Sequence, residues 1–259
     1  MSISLDIEPY FSWFKEYVKN FYFDNPKDQE NIRLKEDHSV RVFKHAKSIS
    51  LNEGFGKEIK FCIELASLFH DIGRFEQYKQ YKTFQDKLSV NHALLGFKVL
   101  SQQDFWRKLP IKIRRYVGIS ILLHNRLNIP STFNKSLGLV VKAVRDADKL
   151  DIFKVILKYF ENGSNNKVVM LNLSDAPLVT KTVLDDLKQK RLVDYNKMQY
   201  INDFKLLLAS WIYDFNFKYS YQVILENDYL GKIFSLLPNN TELKIIYREL
   251  NDYLKSNVE

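Results

Sequence analysis

Apolar residues recur three and four apart along most of the chain, the period of helices that bury one face. Phe11, Phe14, Tyr17, Val18 and Phe21 make the first stripe. Val40, Phe43, Ala46, Ile49 and Ser50 make the second, which Gly54 and Gly56 stop. Ile59, Ile63, Ala66 and Leu68 open a third helix that runs into His70-Asp71 and is broken by Gly73. Residues 74–89 (RFEQYKQYKTFQDKLS) mix polar and aromatic side chains without a clean period, which predicts a loop crossing the surface. Helices are expected again over 90–102, 111–123 and 137–160. A polar, glycine-containing break at 161–166 follows, and Pro177 after Ser174-Asp175 predicts another helix start. Leu184, Leu187, Phe204, Leu207, Leu208, Trp211, Phe215 and Phe217 supply the apolar faces beyond it. The one candidate for a short strand is KVVMLNL at 167–173. The fold class that follows is all-α: an N-terminal helix within 1–30, a main helical domain at 31–160 and a helical C-terminal extension at 161–259.

Composition narrows the class. With 46% hydrophobic and 27% charged residues the chain is too apolar for disorder and too charged for a membrane protein, and it has no apolar run long enough to span a bilayer. A single cysteine, Cys62, excludes a disulfide framework and zinc sites built from several thiolates. The opening MSISLDIEPYFSWF has no basic stretch ahead of an apolar one, so no secretory signal is expected and the expected compartment is the cytoplasm. Lys and Arg number 39 against 31 Asp and Glu, a formal charge of +8, which favours anionic partners. The charge is spread, and its densest cluster (Arg107, Lys108, Lys112, Arg114, Arg115) reads as a solvated helix face. The expected partner is therefore a phosphorylated small molecule, with neither nucleic acid nor membrane.

All five histidines, His38, His45, His70, His92 and His124, lie in the first half of the chain. His70-Asp71 end one apolar helix and His38 lies one helix earlier. His92, His124 and Asp148 each fall on, or at the end of, a later one. Imidazole and carboxylate without thiolate suits a divalent ion such as iron, manganese, nickel, zinc or magnesium. Helices that converge such ligands on a bundle interior are a known way to hold one.

In this arrangement the chain resembles the HD-domain metal-dependent phosphohydrolases. Their H…HD…D pattern is matched by His38 in DHSVRVFKHA, His70-Asp71 in LASLFHDIGR and Asp148 in RDADKLD. The two further histidines of the two-metal subset match His92 in NHALLG and His124 in ILLHNR, with Ala93 standing where the H-P-x-x-G box has proline. HDIGR is similar to the HD-x-G-K box of cyclic-dinucleotide phosphodiesterases, with Arg74 at the lysine position. Beyond His124 the likeness to those enzymes ends: Asn125 and RLNIPSTF stand in place of an H-H-E…G-Y-P run. The resemblance thus carries fold and metal chemistry but no named substrate.

It implies that His38, His70, Asp71 and Asp148 hold a first ion, with Asp71 bridging to a second completed by His92 and His124. In a one-metal arrangement those two histidines would instead bind phosphate or orient ligands. One or two divalent ions would activate water against a phosphate ester or anhydride, expected to be a nucleotide or a nucleotide-derived small molecule. Arg74 would grip a phosphate oxygen, or else pair with Glu76 or Asp86, and Lys149 would face the anion, or else pair with Asp151. Asp146 reads as a helix-surface carboxylate paired with Arg145 or Lys149, and His45 as packing behind the site. Tyr78, Tyr81 and Phe84 either stack a base or pin their loop to the core. Two other function classes share the ligand set: a di-iron oxygenase and a non-catalytic nucleotide-sensing module. The aromatics Trp211, Phe215, Phe217, Tyr219 and Tyr221 either cover the core or form a homodimer.

Overall fold

Asn25 starts the helix that carries His38. Its side-chain oxygen accepts from the amides of Lys27 and Asp28, and Pro26 takes a first-turn position where a missing N–H costs nothing. In the computed structural model, which describes residues 5–130, 132–161 and 173–259, this is α2 (Pro26–Asn52), preceded by α1 (Glu8–Lys19). There follow α3 (Lys57–Phe69), α4 (Gly73–Tyr81), α5 (His92–Ser101), α6 (Asp104–Lys108), α7 (Ile111–Leu123) and α8 (Lys135–Glu161). The chain continues through α9 (Lys181–Lys188), α10 (Ile201–Ser210), α11 (Lys218–Glu226), α12 (Tyr229–Ser235) and α13 (Thr241–Ser256). Among the described residues there is no strand, only an isolated bridge between Ser174 and Tyr200, so the fold class is all-α. Residues 167–172 of KVVMLNL lie outside the described residues. No helix among the described residues is long and apolar enough to cross a membrane.

The chain divides into two compact units, Met1–Asp148 and Lys149–Glu259, the division falling within α8. In the first, α3 packs against α2, α7 and α1, while α5 packs against α4 and α7. Phe14 of α1 is fully buried and lies against the rings of Phe69 and Phe75. The second unit has its own core, in which Phe153 stacks nearly parallel on Tyr229 at 5.9 Å. There α13 buries Leu243, Ile246, Leu250 and Leu254 at helical spacing. Phe215, Phe217 and Tyr221 are buried in this unit, and Trp211 and Tyr219 pack against its core.

Two expected elements change. Residues 74–89 are not a surface loop: α4 occupies their first half and a short 3-10 turn, Asp86–Leu88, follows. The pattern hid this because α4 buries a polar residue along with Phe75 and Tyr78. Gln77 is fully buried, and its amide donates to Asp86, Ser89 and the Val90 carbonyl. Pro177 does not start a helix. Residues 175–180 are irregular, and α9 begins only at Lys181, where Asp203 accepts from the amide and hydroxyl of Thr180.

Candidate metal centre

Three helix termini in the first unit deliver side chains to one point. α3 ends at Phe69, and the turn before α4 presents His70 and Asp71, both buried. Asn91 caps α5 by accepting from the Leu94 amide, which sets His92 in its first turn. α7 ends at Leu123 and leaves His124 at the helix terminus. The stripe of α2 supplies His38, and α8 supplies Asp148.

His38, His70, Asp71, His92, His124 and Asp148 all meet in one cluster. Asp71 lies at its middle, and its two oxygens face different partners. Oδ2 stands 3.7 Å from His38 Nε2 and 3.8 Å from His70 Nε2, and Asp148 Oδ1 adds a contact to His38 at 3.1 Å. Oδ1 stands 3.3 Å from His92 Nε2 and 3.7 Å from His124 Nε2. The six residues fall into overlapping sets with ligand atoms close enough for one ion each: His38–His70–Asp71, His70–His124–Asp148 and Asp71–His92–His124.

The hydrogen bonds behind the rings fix which nitrogen faces inward. His70 Nδ1 lies 2.8 Å from the Ser67 carbonyl and His124 Nδ1 2.7 Å from the Ile121 carbonyl. A carbonyl only accepts, so both Nδ1 atoms carry the proton. His92 Nδ1 lies 2.8 Å from both oxygens of Asp86 and donates to them. Hence His92 and His124 turn bare Nε2 lone pairs toward each other at 3.1 Å, an arrangement a cation satisfies and a neutral hydrogen bond does not. The donor set fits a divalent ion.

The electrostatics keep the set ready. Burial works against charge on Asp71, yet Lys35, His70 and Arg74 overcome it and hold its carboxyl well below the usual carboxylate range. Asp148 is held low in the same way, the neighbouring His38 and His70 outweighing burial. Burial and the neighbouring Arg74 push His92 down to about 4 despite Asp86, so its ring is neutral at physiological pH.

Of the other expected residues, Arg74 takes the Asp86 alternative. It pairs with Asp86 at 2.8 Å and donates to Gln77 and to the Phe84 carbonyl, with Nε 3.4 Å from Asp71 Oδ1. It braces the cluster. Lys149 belongs to the second unit, where its ammonium is ion-paired with Asp214, a partner 65 residues away that no local pattern signals. Asp146 is fully buried, not a surface carboxylate. Tyr78 is pinned by hydrogen bonds with Asp28 and Asn31 and carries Phe84 against its ring, while Tyr81 is exposed. Asn125 and Arg126 are exposed, and His45 is half-buried outside the cluster.

Three residues of the site were missed. Lys35, one turn before His38 on α2, sets its ammonium 2.8 Å from Asp71 Oδ2. Asp86 orients His92. Arg145, buried one turn before Asp148, donates to the carbonyls of His124, Arg126 and Leu127 and so ties α8 to the end of α7. The spacings Lys35–His38 and Arg145–Asp148 were available as signals, whereas Asp86 was concealed in the supposed loop.

Comparison with known proteins agrees with the geometry. Residues 36–152, a little under half the chain, match the family model described as HD domain. A segment of 131 residues is 32% identical to an uncharacterized protein of Buchnera aphidicola subsp. Acyrthosiphon pisum, covering 48% of this chain but only 14% of that protein. A segment of 153 residues is 25% identical to an uncharacterized protein of Methanocaldococcus jannaschii, covering 52% of this chain and 84% of that one. No solved structure matches. Residues 36–152 are thus similar to the HD domain, and they hold a buried histidine–aspartate cluster compatible with divalent-metal binding.

Proposed function

We propose that this protein is a metal-dependent phosphohydrolase acting on a phosphate ester or anhydride of a nucleotide or nucleotide-derived small molecule. The observation that supports it most is the division of Asp71, one carboxylate oxygen turned to His38 and His70 and the other to His92 and His124. His38, His70, Asp71 and Asp148 would hold one divalent ion, and Asp71, His92 and His124 a second. Such ions supply Lewis acidity toward a phosphoryl oxygen and a water acidic enough to ionise near neutral pH.

The chain's own residues do the remaining work. Asp71 is ionised and His92 is neutral, the states in which each accepts a cation. The Ser67 and Ile121 carbonyls and Asp86 hold the three rings in the tautomer with Nε2 inward. The cationic side chains around Asp71 favour an anionic substrate over a neutral one. Cys62 takes no part: it is buried, and its thiol is pushed up to about 12 by burial and Glu58. We place the protein in the cytoplasm, which suits a lone free thiol.

The test is phosphate release from a panel of phosphomonoesters, phosphodiesters and nucleoside triphosphates after loading with manganese. Turnover that a chelator abolishes, and that Asp71→Asn loses together with bound metal, is the expected result. Dioxygen uptake without phosphate release would replace this reading with oxygenase chemistry.

A further inference from the structure

Lys35 has no counterpart among the motif residues that carry the resemblance, yet it is the cation nearest the cluster's central carboxylate. It lies three residues before His38 on α2, and the two therefore project from one face of that helix. Its ammonium is 2.8 Å from Asp71 Oδ2, the oxygen that also faces His38 and His70. On its other side it stands 5.2 Å from the centre of the Phe84 ring. The side chain is 18% exposed, so solvent reaches it beside the buried Asp71. The adjacent Glu36 is spent elsewhere, on Lys15 at 2.7 Å and the Tyr22 hydroxyl at 2.9 Å.

We infer that Lys35 binds the phosphoryl group of the substrate, its ammonium and the bound metal gripping one anion from two sides. This rests on the reading of the site as a phosphohydrolase. A divalent cation and an ammonium drawn to the same carboxylate oxygen repel each other, and the two charges of Asp71 and Asp148 fall short of the three that the cations carry. An anion with several oxygens placed between them removes that repulsion, and a phosphoryl group is such an anion. Lysine suits the task because its flexible stem lets a three-donor point charge leave Asp71 and follow the substrate. The ring face of Phe84 offers the displaced ammonium a favourable neighbour.

A lysine that merely props up Asp71 would behave in the opposite way toward metal. Its loss would loosen the ligand and weaken metal binding. Loss of a competing cation leaves metal binding as tight or tighter while weakening the anion.

The experiment uses the full chain, with Lys35→Met to keep the stem and Lys35→Arg to keep the charge. Calorimetry measures manganese binding to metal-free protein, then inorganic phosphate binding to the manganese-loaded protein. Lys35→Met is expected to bind manganese at least as tightly as the parent and to bind phosphate about tenfold more weakly, with Lys35→Arg recovering most of that loss. Unchanged phosphate affinity in Lys35→Met overturns the inference, as does manganese affinity that falls in step with phosphate affinity. Failure of the manganese-loaded parent to bind phosphate overturns it too. The hydrolase reading fails separately, by absence of chelator-sensitive turnover in a parent whose phosphate binding still depends on Lys35.

Discussion

Gly73 and Gly96 mark the place where α4 and α5 meet backbone to backbone, and the meeting sets the position of His92. A Cβ added at Gly73 would lie 2.2 Å from the His92 carbonyl oxygen and 2.5 Å from the Gly96 amide nitrogen. No side-chain rotation relieves a clash with main chain, so in Gly73→Ala the two helices must part by about 1 Å to restore ordinary contact. His92 opens α5 and moves with it. Metal bonds tolerate deviations of only ~0.2 Å, so a shift of that size mis-sets the Asp71–His92–His124 group. The strain should cost ~1–3 kcal/mol, a fall in Tm of about 3–10 °C. At Gly96 the same addition meets the Gly73 nitrogen and Ile72 Cγ2 at 3.1 Å, which a few tenths of an ångström relieve, so Gly96→Ala should be milder. Thermal melts and metal content of parent and both variants provide the assay. Gly73→Ala with parental Tm and parental metal content would refute the packing argument and the link it makes to His92.

Further outcomes follow from the groups behind the ligands. Asp86→Ala removes the acceptor from His92 Nδ1 and frees the ring to turn or change tautomer; metal titration should show affinity at the His92–His124 group ~10–100-fold weaker, with the His38 side little changed. Arg145→Ala strands the carbonyls at the end of α7, and urea unfolding should report a loss of ~1–3 kcal/mol; an unaffected variant would show that solvent replaces the guanidinium at no cost. In metal-free protein His92 is held near 4, below the 6.5 of an unfolded histidine, by burial first and then Arg74. The unfolded chain therefore binds more protons at this residue between those values, and stability falls as pH drops from about 6.5 to 4, by ~3 kcal/mol from this group. Asp86, held at about 2 by its His92 partner against burial, adds a second loss as pH falls from about 4 toward 2. Urea unfolding from pH 7 to 4 in chelator checks the first window; His92→Gln should flatten it, and an equally steep loss in that variant would contradict the assignment.

The legible part of this molecule was whatever left a periodic or chemical trace. The expected helix at 111–123 is α7 residue for residue, because its apolar positions recur between a proline and a histidine turn with nothing to blur them. The six ligand candidates were visible because histidine and aspartate on, or at the ends of, apolar helices need a purpose. What failed did so where polar residues serve the interior. Gln77, fully buried with an amide that donates to three acceptors, erased the period of α4 and with it the place of Asp86. Gly73 does mark the break between α3 and α4, but a missing side chain signals a turn as readily as a close approach, and only the position of the His92 carbonyl reveals the second role. Lys149 was placed by its neighbour Asp148, whereas successive helical residues point about 100° apart and its partner Asp214 is remote in sequence.

Metal content per chain is the measurement nearest to the central claim. Protein purified without chelator, loaded with manganese or iron and passed through a desalting column, should retain at least one ion per chain by elemental analysis, and Asp71→Ala should retain none. Parent protein that emerges without metal, or an Asp71→Ala variant as fully loaded as the parent, would contradict the assignment of the cluster as a metal centre.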